Sequence, residues 1–190
     1  MGKIILASGS PRRRSLLENY GFDITVVHPD FDESSVSETD PEKLVLALAG
    51  GKNRSVRERF PDSVILSADT VVCIGGKILG KPADKAAAHE MLGLLSGKTH
   101  SVFTGVCISR GGRECLFCEK TDVTFYTLST AQITRYTDSG SPFDKAGGYG
   151  IQDDMGIGFI KSVSGELSCV IGLPMGRTVS EIQKLQGDIK

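Results

Sequence analysis

Asp69 is a lone acid in the otherwise apolar, β-branched run Val64-Ile65-Leu66-Ser67-Ala68-Asp69-Thr70-Val71-Val72. Burying an unpaired carboxylate is costly, so Asp69 must face solvent, be held by a cationic partner, or be kept for chemistry. A second concentration of reactive types is Ser8-Gly9-Ser10-Pro11-Arg12-Arg13, followed by Arg14. Ser10 is a good N-cap and Pro11 suits the first helical position. Backbone N–H groups, hydroxyls and guanidinium forks therefore converge at a helix start, the place where anions bind. Arginines there oppose the positive end of the helix dipole, and a bound anion relieves the conflict. The competing reading is a solvated basic patch. The acidic loop Pro29 to Glu38 adds Asp32 and Glu33. Either of these with Asp69 would supply the hard oxygen ligands that magnesium or manganese prefers, although Glu33 taken alone is an ordinary solvated loop acid.

Other patterns lose their chemistry on inspection. The string Gly75-Gly76-Lys77-Ile78-Leu79-Gly80-Lys81 matches the first seven positions of a phosphate-binding P-loop. Pro82 then stands where the hydroxyl that reaches magnesium is required, and it removes a backbone donor from the cradle. A tight turn with Lys81 beyond it is the better reading. Cys115-Leu116-Phe117-Cys118 has zinc-like spacing but no second pair, and His28, His89 and His100 stand apart from one another. No Gly-x-Ser-x-Gly elbow occurs, so a serine triad is not indicated, and His100 reads as a plain strand residue.

These candidates sit in a chain of ordinary globular composition, with 39% hydrophobic and 24% charged residues, which suits a single domain over residues 1–190. The formal net charge of -1 argues against a nonspecific nucleic-acid binder, which would carry a basic face. The positive charge is local instead, and suits a small anionic ligand. No stretch approaches the roughly 20 apolar residues of a membrane helix, and Ile4-Ile5-Leu6-Ala7 is too short for the core of a signal peptide. Five cysteines without framework spacing, Cys73, Cys107, Cys115, Cys118 and Cys169, suit a reducing compartment. The expectation is a cytoplasmic protein with neither a nucleic-acid nor a membrane partner.

The elements that must position the candidates follow from period and punctuation. Lys3 to Ala7 reads as a strand feeding a helix that Gly21 ends, and Asp23 to His28 as a second strand. A helix begins after Asp40-Pro41, with Leu44, Ala47 and Leu48 on one face and Gly50-Gly51 weakening it. Ser63 to Ile74 is a long strand, turned by Gly75-Gly76 into Lys77 to Leu79. Asp84 caps a helix whose Ala88, Met91, Leu92 and Leu95 share a face, with Gly97 closing it. Ser101 to Ile108 and Cys115 to Tyr126 pair across Arg110-Gly111-Gly112-Arg113. Ser129 and Gln132 form a capping box for a helix to about Asp138. Ser139 to Gln152 is a glycine-rich loop, Gly158 to Val163 and Ser168 to Ile171 read as strands, and Pro174 starts a last helix. Strands and helices mix without strict alternation, so the expected class is α/β with a curved mixed β-sheet flanked by helices.

In order along the chain, Leu6-Ala7-Ser8-Gly9-Ser10-Pro11-Arg12-Arg13, Ser67-Ala68-Asp69-Thr70-Val71-Val72, Leu79-Gly80-Lys81-Pro82, Leu95-Ser96-Gly97 and Asp144-Lys145-Ala146-Gly147-Gly148-Tyr149-Gly150-Ile151-Gln152 resemble the Maf family. The resemblance covers essentially the whole chain. It implies a house-cleaning pyrophosphatase that cleaves a nucleoside triphosphate between its α and β phosphates with a divalent metal cation, magnesium, manganese or cobalt. It also implies the Maf/Ham1 fold related to inosine triphosphatases, with two lobes around a nucleotide-binding cleft. By resemblance Asp69 is the proton acceptor, Glu33 and Asp69 hold the metal, and Ser8, Arg13, Lys52 and Lys81 bind the triphosphate. Arg12, Thr70 and Gln152 are the positions tied to substrate choice. Ala68-Asp69-Thr70 and Gly150-Ile151-Gln152 look like the branch acting on dTTP and UTP, and the Gln152 amide can match a pyrimidine's carbonyl and imide edge.

The chain departs from the family pattern in Lys52-Asn53, where Lys-Ala is common, in Ser141, where an acid is common, and in Cys169, where asparagine is common. The first departure suggests a less rigid second helix and the second a weaker metal network. The alternatives are a pyrophosphatase of the 7-methyl-GTP type and a nucleotide-binding regulator of septum formation with little turnover. Members of the family often form homodimers, but no diagnostic apolar stripe marks such an interface here.

Overall fold

Ile4, Ile5 and Leu6 are buried along the first strand, β1 (Lys3–Leu6), which is paired in parallel with β2 (Asp23–Val26) on one side and β3 (Val64–Ile74) on the other. A strand buried between parallel neighbours reads as continuously apolar rather than alternating, as Lys3 to Ala7 does. The computed structural model describes residues 3–187. Its sheet has seven strands in the order β2-β1-β3-β5-β6-β7, with β4 (Lys77–Leu79) paired antiparallel to β3. Here β5 is Thr99–Arg110, β6 is Arg113–Phe125 and β7 is Ile160–Ser164, the last antiparallel to β6. Parallel and antiparallel pairs share the sheet, as the irregular strand and helix order predicts.

Six α-helices accompany the strands among the described residues: α1 (Pro11–Asn19), α2 (Pro41–Arg57), α3 (Lys85–Leu95), α4 (Thr130–Asp138), α5 (Leu167–Ile171) and α6 (Met175–Gln186). Their starts obey the expected chemistry. Asp40 and Asp84 accept from backbone N–H groups three residues on, and Ser129 with Gln132 closes a full capping box. None of the described helices is long and apolar enough to cross a membrane.

The chain divides into two compact units. Unit 1 holds the residues up to Asp69, Thr104–Glu119 and the segment from Gly172 onward. Its principal core joins Ile4, Leu6, Leu17, Leu66, Val106 and Ile108 to Leu173, Ile182 and Leu185. Unit 2 holds Thr70–Phe103 and Lys120–Ile171, with a core that includes Leu92, Leu95, Phe125, Tyr136, Tyr149 and Phe159.

Two expectations are corrected. Ser168 to Ile171 is not a strand but most of helix α5, with the Cys169 side chain buried. The strand expected over Gly158 to Val163 begins at Ile160, after a 3₁₀ turn spanning Ile157–Phe159. Helix α2, which Gly50-Gly51 was expected to weaken, runs through both glycines to Arg57. They are needed for contact: a Cβ on Gly51 would collide with the Phe31 ring, and one on Gly50 would press on Arg54. All five cysteines are free; Cys107 and Cys169 are buried, whereas Cys73, Cys115 and Cys118 are half-buried.

Candidate active site

Six of the residues singled out in the sequence belong to unit 1: Ser8, Arg12, Arg13, Glu33, Lys52 and Asp69. Lys52 lies on the inward face of α2 and is only 7% exposed. Its Nζ donates to Asp69 Oδ1 at 2.6 Å and sits 2.9 Å from Glu33 Oε1. Of the three possibilities for Asp69, solvent exposure is thus removed and a cationic partner is present. The pairing of the buried Lys52 ammonium with Asp69 offsets the cost of desolvating both groups, while the more exposed Glu33 adds a second contact to the ammonium.

Local structure explains the convergence. Asn53, next to Lys52, is fully buried; its Nδ2 donates to the carbonyls of Ile65 and Cys107, each at 3.2 Å, and its Oδ1 accepts from Ser109 Oγ at 2.7 Å. Ser67 Oγ donates to the Ala49 carbonyl at 2.7 Å. These bonds fasten α2 to β3 and β5. Glu33 opens the 3₁₀ turn Glu33–Ser35, and Phe31, packed on Gly51, anchors the loop that carries it. Asp32 caps that turn, accepting from Ser34 N at 3.0 Å and Ser34 Oγ at 2.7 Å. It is therefore engaged within its own loop.

Ser8 follows β1 and is buried, while Arg12 and Arg13 occupy the first turn of α1. Arg13 donates from Nη1 to Ser8 Oγ at 3.1 Å and from Nε to the Gly172 carbonyl at 2.8 Å. Burial pulls the Arg13 guanidinium below its ordinary pKa; Asp69 opposes this, Arg12 adds to it and Glu33 opposes it. A guanidinium stays charged through such a shift, so Arg13 is a fixed, partly desolvated cation. Glu33, Asp69, Lys52 and Arg13 bring two carboxylates and two cations to one unit. That set can accept a proton and bind phosphate oxygens.

Thr70, Lys81 and Gln152 belong to unit 2. Thr70 continues β3, and Lys81 is exposed just beyond β4. The Gly80 carbonyl beside Lys81 accepts from Gly147 N at 2.9 Å, which ties this turn to the glycine-rich loop. Gln152 is exposed at the end of that loop, after the buried Ile151. The loop is more ordered than its composition suggests, with 3₁₀ turns at Ser141–Asp144 and Ala146–Gly148. Lys145 and Asp153, which the sequence reading did not select, are a close pair there, with Lys145 Nζ 3.4 Å from Asp153 Oδ2. A lysine and acids within a loop poor in other charge was the available signal.

No group of three or more His, Cys, Asp or Glu side chains suited to a metal exists among the described residues. Glu33 and Asp69 still converge on one cationic point, the Lys52 ammonium, through hard oxygen donors. That donor chemistry fits magnesium or manganese.

The sequence matches the family described as Maf-like protein over residues 3–185. It is 48% identical over 179 residues to the dTTP/UTP pyrophosphatase of Symbiobacterium thermophilum, covering 94% of this chain and 92% of the relative. It is 44% identical over 189 residues to the dTTP/UTP pyrophosphatase of Bacillus anthracis, covering 100% and 98%. Among solved structures, the nucleoside-triphosphatase / dITP/XTP pyrophosphatase of Mycobacterium abscessus aligns with a TM-score of 0.47 at 12% identity, over 98% of each chain.

Proposed function

Because this chain belongs to the Maf family, we propose that it is a nucleoside triphosphate pyrophosphatase acting on dTTP and UTP in house-cleaning of the nucleotide pool. It cleaves the bond between the α and β phosphates, releasing the nucleoside monophosphate and pyrophosphate. The observation that carries this reading is the buried Lys52 held between Glu33 and Asp69. The names of relatives up to 48% identical supply the substrate class.

In this mechanism Asp69 orients the attacking water and takes its proton as the water oxygen bonds to phosphorus and the pyrophosphate oxygen leaves. Lys52, Arg13, Ser8 and Lys81 bind the phosphate oxygens, and positioning with charge neutralisation supplies most of the acceleration. Arg12, Thr70 and Gln152 select the base. Glu33 and Asp69 would hold a divalent cation, magnesium, manganese or cobalt. When bound, that cation neutralises phosphate charge and lowers the pKa of water. The reading extends to a single two-lobed domain over residues 1–190, a cytoplasmic location, no nucleic-acid or membrane partner, and a homodimer as the assembly to test.

The deciding experiment is pyrophosphate release from dTTP, UTP, the other common triphosphates and 7-methyl-GTP, with manganese or magnesium. Turnover of dTTP and UTP that falls roughly 10²- to 10⁴-fold in Asp69→Asn supports the reading. A preference for 7-methyl-GTP moves the protein to that branch, and absence of turnover on every nucleotide leaves the septum regulator.

A further inference from the structure

Lys145 is buried, at 9% exposure, in the loop that leads to Gln152, and no step of the proposed hydrolysis uses it. Its Nζ donates to the Ser141 carbonyl at 2.6 Å, to Ser141 Oγ at 3.2 Å and to Asp144 Oδ1 at 2.7 Å. Across from it stands Asp153, next in the chain to Gln152. A single oxygen, Asp153 Oδ2, accepts from Tyr136 OH at 2.6 Å and from Ser141 Oγ at 2.6 Å, and lies 3.4 Å from Lys145 Nζ. Tyr136 OH in turn accepts from Gly150 N at 3.0 Å. Tyr136 is fully buried on α4 and packs edge-on against Phe159, with ring centroids 5.1 Å apart, so it is a rigid post.

The turn carrying Gln152 is therefore held in two ways by one residue, through the Asp153 backbone and through its carboxylate. On the near side Asp153 N donates to the Gly150 carbonyl at 3.2 Å. On the far side the Asp153 carboxylate reaches Gly150 N through Tyr136 OH. Gly150 has no room for a side chain: a Cβ there would lie 2.7 Å from Asp153 Oδ2 and 2.7 Å from Lys145 Cε. Gly156 backs the Gly150 carbonyl so closely that its own Cβ would overlap it. Within this frame the Gln152 side chain is exposed, with the backbone on either side of it fixed.

We infer that Asp153 is a positioning residue for substrate choice: by joining Tyr136, Ser141 and Lys145 it fixes the Gly150–Asp153 turn, so that the Gln152 amide is presented in one orientation to the base. The inference rests on the proposed role of Gln152 in selecting pyrimidine triphosphates. A directional amide discriminates between bases only while its own frame does not turn, because donor and acceptor exchange places on rotation. Asp153 acts through Gln152 rather than on the substrate.

The test measures kcat and KM for dTTP, UTP, CTP and GTP in the native protein, Asp153→Ala, Asp153→Asn, Gln152→Ala and the double variant Asp153→Ala/Ser141→Asp. Thermal melts accompany each. Asp153→Ala is expected to lower the preference for dTTP over GTP roughly tenfold, carried by KM with kcat little changed. Asp153→Asn keeps an acceptor for Tyr136 and Ser141 but loses the charge opposite Lys145, so its effect is smaller, and it serves as the comparison should Asp153→Ala fail to fold. The double variant returns a carboxylate to the position beside Lys145 and is expected to recover much of the preference. Unchanged selectivity in both Asp153 variants, while Gln152→Ala shifts it, overturns the inference and leaves the Gln152 role standing. A uniform fall in kcat for every nucleotide makes Asp153 merely structural and overturns it too. Unchanged selectivity in Gln152→Ala removes the role of Gln152, and the inference falls with it.

Discussion

Glu33 and Asp69 share one ammonium in different surroundings: the Glu33 side chain is 59% exposed and that of Asp69 14%. An ion pair on the exposed side adds little to stability. Glu33→Gln should shift Tm by less than about 4 °C while activity falls sharply, because the carboxylate is retained for function. Calorimetry paired with a turnover assay checks this, and a large loss of Tm with normal activity would contradict it. Lys52→Met acts differently, since it leaves Asp69 half-desolvated without its partner. It should cost about 1–3 kcal/mol in urea unfolding and also raise the KM for dTTP. Asp69 and Glu33 were each legible in the sequence from residue type and neighbours. Their meeting at Lys52 was not, because helix, loop and strand bring them together from distant positions. Ser141 shows the same limit. Its hydroxyl bonds to the Asp153 carboxylate, which no local pattern announces.

At the scale of elements, α2 shows what its unusual residues are fitted to. Two glycines and an asparagine in sequence suggest softness, yet each is fitted to a neighbour, Gly51 to the Phe31 ring and Asn53 to the carbonyls of β3 and β5. Gly51→Ala should overpack this contact, destabilise the protein by about 1–3 kcal/mol, and lower turnover by displacing the loop that carries Glu33. If urea midpoint and kcat both match the native protein, the Phe31 contact does not hold that loop. The strands with long β-branched runs and the helices with capping aspartates were readable because their signals are local. Ser168 to Ile171 was misread for a definite reason: four residues are too few for a period of two to be told from one of 3.6, and Val170 and Ile171 tip the reading toward a strand. Their place in a short helix is settled by the packing of Cys169 inward, which is tertiary information.

For the molecule as a whole, acid stability should depend on His100. It is 2% exposed, its Nε2 lies 2.7 Å from Tyr149 OH, and its Nδ1 has no hydrogen-bond partner among the described residues. Burial pushes its pKa down to about 4, with Asp122 opposing the shift. The unfolded chain takes up this proton near the ordinary value of about 6.5, the folded one only near 4. The neutral form's contribution is therefore complete above about pH 6.5 and is lost as pH falls toward 4, by up to about 3 kcal/mol. Unfolding followed from pH 7 to pH 4 should show a shallower dependence in His100→Gln, and identical slopes would exclude the residue as the cause.

The division of the chain has a consequence for synthesis. Asp69, Lys52, Glu33 and Arg13 all lie in the first segment of unit 1, but Val179, Ile182 and Leu185 of α6, near the other end, belong to the core that contains Ile4 and Leu6. Contacts so far apart in sequence form late and slowly. A nascent chain thus displays its reactive carboxylates and cations long before the helix that completes their support has left the ribosome. Synthesis of α6 would act as the on-switch, and a ribosome-bound product halted before Gly172 should hydrolyse no nucleotide although every one of those four residues has already been made.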